Sequence, residues 1–98
     1  MTWHTFTLNR AERAERENEL QMAFDLCFTA AAGPDDMALL ARDQGAGDRR
    51  YYASPVMGAW AANLLEQYGA TPCAAPQGGE GLTLLVGHQG CVDWLLGD

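Results

Sequence analysis

The stretch Arg49-Arg50-Tyr51-Tyr52-Ala53-Ser54-Pro55-Val56-Met57-Gly58-Ala59-Trp60-Ala61-Ala62-Asn63-Leu64-Leu65-Glu66-Gln67-Tyr68-Gly69 runs a strand-like segment directly into a helix-like one. Ser54 suits a helix N-cap, Pro55 the first helical position, and Gly69 the left-handed position just past the end. Met57, Trp60, Ala61, Leu64, Leu65 and Tyr68 recur at helical spacing, which predicts one apolar face. A strand–helix unit with a defined buried side therefore anchors the fold.

Upstream, residues 2–8 alternate and are rich in Thr and aromatics, the pattern of a strand. Phe6 and Leu8 fall on one face; Trp3, Thr5 and Thr7 fall on the other. Asn9 is placed to cap a helix, with Glu12 three residues on as in a capping box. That helix should run to about residue 32, where Gly33-Pro34 stops it. Its first half is charge and alanine, with i,i+4 pairs Glu12–Arg16 and Arg13–Glu17. Its second half carries an apolar stripe of Leu20, Phe24, Cys27, Phe28 and Ala31. The whole helix would be roughly 35 Å long against about 20 Å for a six-residue strand. The polar half must overhang the sheet or pack on something else.

Residues 37–42 and 49–53 read as a hairpin with a long, glycine-rich tip over 43–48. Beyond the second helix, residues 70–76 contain two prolines and form at best an edge strand. Residues 82–86 are the clearest apolar strand, followed by a glycine-rich turn and a short helix bearing Cys91, Trp94 and Leu95. The order β-α-β-β-α-β predicts a single α+β domain over 1–98, a ferredoxin-like sandwich with a short C-terminal helix. A five-strand alternative uses 71–76 and 82–86 as a terminal hairpin.

The chain has 98 residues, 48 % of them hydrophobic, enough for one cored domain. Thirteen Asp and Glu face six Arg and no Lys, a net charge of −7. That balance argues against a nucleic-acid partner, because phosphate contacts need a basic face. The lack of Lys beside abundant Ala and Gly is a high-GC coding signature and indicates a bacterial source. No secretory signal opens the chain, and no apolar run is long enough to span a bilayer, so no membrane role is expected. Three cysteines without a C-x-x-C pair fit a reducing cytoplasm.

Candidate sites follow from residue chemistry. His88 and Cys91 share an H-x-x-C spacing, with Cys73 and His4 elsewhere, but one close pair falls short of the usual two, so no metal or cofactor is expected. The turn Gly87-His88-Gln89-Gly90-Cys91 sits at a helix start, where free N–H groups suit an anion; its glycine spacing fits neither a Walker loop nor a dinucleotide fingerprint. Arg49-Arg50-Tyr51-Tyr52 offers a carboxylate or phosphate grip beside an aromatic platform, against the simpler reading of ordinary cross-strand pairing; Arg50 and Tyr52 are the first of these to test. Ser54 lacks the flanks of a nucleophile elbow.

A four-stranded sheet with helices on one side leaves the other side open. Trp3, Thr5, Thr7 and one of Tyr51 and Tyr52 would lie there, and exposed aromatics ask for a cover. The leading expectation is a binding or regulatory module that forms a homodimer through its sheet. The alternative is a small enzyme or metabolite-binding protein with a pocket between the 49–54 strand and the 87–91 turn, using Arg50, Tyr52, His88 and Cys91 on a small anionic ligand. A protein partner with a basic surface is the third reading.

Overall fold

The computed structural model describes residues 3–30, 38–54, 63, 66–74, 76 and 81–87, with the backbone alone at 26–30, 38 and 87. The elements are β1 (Trp3–Leu8), α1 (Arg10–Ala30), β2 (Ala38–Gly45), β3 (Asp48–Ala53), β4 (Thr71–Cys73) and β5 (Leu82–Gly87). The strands form one sheet in the order β4-β1-β3-β2-β5, and every neighbouring pair is antiparallel.

α1 starts as the capping-box signature requires. The Glu12 N–H donates to Asn9 Oδ1 and the Asn9 N–H donates to Glu12 Oε1, each at 2.9 Å. Two donors that the first helical turn leaves open are thereby satisfied. Leu20 and Phe24 are fully buried from α1 and meet Phe6, Leu8, Leu39, Ala41, Tyr51 and Ala53 of the three central strands. The Phe6 and Tyr51 rings stack 5.0 Å apart, and Tyr68 tilts against Phe6 at 5.4 Å. Tyr68 thus lies on the buried side expected of it. Gly69 follows at φ +69°, and its N–H reaches the Glu66 carbonyl.

The β2–β3 hairpin is tighter than its sequence suggests. The strands extend to Gly45 and Asp48, which pair across a two-residue turn, Ala46-Gly47. Both turn residues have positive φ, 56° and 87°, as in the I′ turn whose twist matches the flanking strands. The expected loop over 43–48 is therefore mostly strand, with an irregular register between Asp43 and Gly45.

The fold is not the ferredoxin-like sandwich that the element order suggested. In that fold the last strand lies beside β1. Here β5 pairs with β2, and β4 takes the position beside β1. Pro72 confines this segment to an edge, as its two prolines predict. Proline cannot donate to a second neighbour, but β4 is an edge strand with β1 as its one partner. With that edge filled, β5 occupies the opposite one. β4 and β5 lie at the two ends of the sheet, so the terminal hairpin does not form either. α1 is the one helix bounded among the described residues; Asn63, Glu66 and Gln67 are helical, and the rest of the expected second helix, like the C-terminal one, lies outside them. No helix among the described residues is long and apolar enough to cross a membrane.

Candidate functional site

Strand alternation sorts the polar residues of β3 onto two sides of the sheet. Arg49 and Tyr51 face α1, whereas Arg50 and Tyr52 face away from it. The two sides are electrostatically different.

On the α1 side the charges are matched. Arg49 Nη1 lies 2.6 Å from Glu17 Oε1, and Arg49 Nε lies 2.8 Å from Asp43 Oδ1. The Tyr51 hydroxyl donates to Glu17 Oε1 at 3.0 Å, and Arg13 donates to the Gly47 carbonyl at 2.8 Å. Arg13 Nε stands 3.6 Å from Glu17 Oε2. The hydrogen bond and charge of Arg49 hold the Asp43 carboxyl below its ordinary value. Burial, then the bond to Glu17, pushes the Tyr51 hydroxyl well above its ordinary value. The polar half of α1 therefore packs on the hairpin of its own chain. Within this network Arg13 Nε is buried and lies at ion-pair distance from Glu17 without making a hydrogen bond among the described residues.

The far side is different. Arg42 and Arg50 are direct cross-strand partners, and the same register places Thr7 beside Arg50 and Leu82 beside Arg42. The strip Thr7–Arg50–Arg42–Leu82 thus crosses four strands. Two residues along, Thr5, Tyr52, Leu40 and Leu84 form the next row. Arg50 and Thr7 are exposed, and Arg50 makes no hydrogen bond or ion pair among the described residues.

Of the residues singled out from sequence, Arg50 and Tyr52 come together on this side. His88 and Cys91 lie outside the described residues, so the pocket assigned to the 87–91 turn is not seen. Arg42 was not singled out, and Thr7 only as a residue of the open side of β1. Their signal was the period of two, read through a hairpin register that the assumed long loop left open.

Trp3 is 6 % exposed and Tyr52 9 %, and both pack with Leu40. The side expected to be open is covered within the chain at its aromatic centre, so no bare aromatic there asks for a second copy. Cys73 packs against this cluster; burial raises its thiol despite the opposing effect of Arg50, leaving it un-ionised at neutral pH. Among the described residues no three His, Cys, Asp or Glu side chains gather where a metal ion would sit. A groove of about 390 Å³ lies between α1 and β5, lined by Asn18, Gln21, Met22, Asp25, Leu85 and Val86. It presents two amides, the Asp25 carboxylate and apolar carbons.

No family model, curated protein or solved structure matches the chain.

Proposed function

We propose that this chain is a small ligand-binding module whose binding surface is the Thr7–Arg50–Arg42–Leu82 strip on the sheet side away from α1. The observation that carries the reading is Arg50. It is exposed and lacks an ion pair among the described residues, while its sequence neighbour Arg49 is tied to Glu17 and Asp43. Two polar side chains exposed side by side, Thr7 and Arg50, stand on strands rather than loops, which fixes their spacing. Half-buried Leu82 supplies apolar surface at the end of the strip. Such a surface is suited to binding and orienting a ligand.

The test is a nuclear magnetic resonance titration of ¹⁵N-labelled protein with pooled organic acids, nucleotides, amino acids and sugars. The expected result is saturable shifts clustered at Thr7, Arg42, Arg50 and Tyr52. Shifts confined to the α1–β5 groove, or absent with every pool, would overturn the reading. Sedimentation of the same sample reports whether a second copy associates.

A further inference from the structure

We infer that the outer edge of β5 is where a second copy of this chain joins, β5 pairing antiparallel with β5 of the partner about a two-fold axis. The contrast between the two edges of the sheet supports it. β4 is three residues long with Pro72 at its centre, and both features stop a sheet from growing. β5 is six residues, Leu82-Thr83-Leu84-Leu85-Val86-Gly87, with no proline and no charge. Among the described residues β2 is its one neighbour. A strand with one neighbour turns alternate N–H and C=O groups outward, a template for another strand.

β5 also carries apolar surface that the chain leaves half covered. Leu82, Leu84, Leu85 and Val86 are half-buried, whereas Leu39 and Leu40 on the neighbouring strand are fully buried. The register shift opposite Leu39 and Leu40 leaves Leu85 as an extra residue, so Leu85 and Val86 both line the groove beside α1. Met22 lines the same groove and is 61 % exposed, the one large apolar side chain so exposed among the described residues. A strand added outside β5 covers this flank.

Charge and symmetry select the occupant. The chain carries a net charge of −7, and like chains repel. β5 brings no charge to the contact, and Asp25 is the one charged residue lining the groove. An edge without charge gives a basic or acidic partner nothing to read, whereas its own copy matches it in length and apolar pattern. The pairing is isologous, so it uses both β5 edges at once. The joined sheet of twice five strands then ends in β4 on both sides, and growth stops at two copies. One strand pair makes a small interface, so the association is weak, on the order of 100 μM.

The experiment is sedimentation velocity from about 5 μM to about 1 mM, with amide spectra recorded over the same range. Monomer is expected at the low end and dimer at the high end, with concentration-dependent shifts and slowed amide exchange at residues 82–87 and at Met22. Thr83→Lys puts a charge on an exposed position of the edge, and Gln67→Lys makes the same change of net charge at an exposed position on another element. Thr83→Lys should weaken association at least tenfold while leaving circular dichroism and the melting temperature of dilute protein unchanged. Gln67→Lys should leave association within about twofold of wild type. A wild type that stays monomeric throughout overturns the proposal, as does association that survives Thr83→Lys or that shifts Trp3 and Tyr52 in place of β5. Assembly beyond the dimer would also overturn it, because β4 would then not end the sheet.

Discussion

Glu17 on α1 and Arg49 on β3 meet at 2.6 Å, although 32 residues separate them in the chain. Both side chains are about four-fifths buried, and the same Glu17 oxygen also accepts the Tyr51 hydroxyl. One carboxylate thus joins the polar half of the helix to the central strand. A fully exposed ion pair contributes little, but a charge-assisted bond in a screened position contributes more.

Glu17→Gln should therefore destabilise the fold by about 1–3 kcal/mol, the range for losing hydrogen bonds to a charged group. Urea denaturation measures it. A double-mutant cycle with Arg49→Gln should return a coupling of about 0.5 kcal/mol or more. Strict additivity would make the contact incidental.

The Tyr51 hydroxyl supplies a pH dependence of definite sign. Its folded value is raised by burial and by Glu17 above the ordinary 10.0. The folded state holds the proton where the unfolded state has lost it. The contribution is complete below pH 10 and declines as pH rises beyond that, by at most about 1.4 kcal/mol per pH unit for one group. Tyr68 is raised in the same direction. Stability measured between pH 8 and 11 should fall in wild type and fall less steeply in Tyr51→Phe. Identical slopes would remove Tyr51 from the account.

What was legible in the sequence was local. The Asn9–Glu12 cap, the turn at Gly69 and the two faces of β1 all depend on residues within a few positions of each other, and each is found as read. The placement of β5 was not legible, because it depends on which edge β4 claims; the two prolines of 70–76 confine a strand there to an edge without saying which one. The candidate strip was half legible for a related reason. Alternation puts Arg50 and Tyr52 on one side without further information. Setting Arg42 opposite Arg50 needs the register, and the register depends on a two-residue turn hidden in a six-residue polar stretch.

The apolar side of α1 makes a sharp contrast available. Phe24 is fully buried, whereas Met22, two positions earlier, is 61 % exposed. Phe24→Ala should cost about 3–5 kcal/mol through lost burial and the cavity left behind. Met22→Ala should change stability by no more than about 0.5 kcal/mol, as for surface positions generally. Comparable urea midpoints for the two variants would place α1 in the wrong rotation on the sheet.

The hairpin turn offers the most specific test of how α1 and the β2–β3 tip fit. Gly45 and Gly47 have nearly equal positive φ, +88° and +87°, so alanine at either carries a similar backbone penalty of about 1–2 kcal/mol. They differ in space. A Cβ on Gly45 meets nothing within 4 Å, but a Cβ on Gly47 would lie 2.8 Å from the Cβ of Arg10. That neighbour is the root of a side chain at the start of α1, not a mobile tip. Gly47→Ala must also disturb the carbonyl that accepts from Arg13. It should therefore destabilise by about 1 kcal/mol or more beyond Gly45→Ala, within the range for overpacked sites. Arg10→Ala should relieve only part of the excess, because alanine keeps the closest contact, the Cβ at 2.8 Å, whereas Arg10→Gly should remove the steric part of it. Equal penalties for the two glycines in the wild-type background would mean that backbone conformation alone decides, and that the helix does not press on the turn.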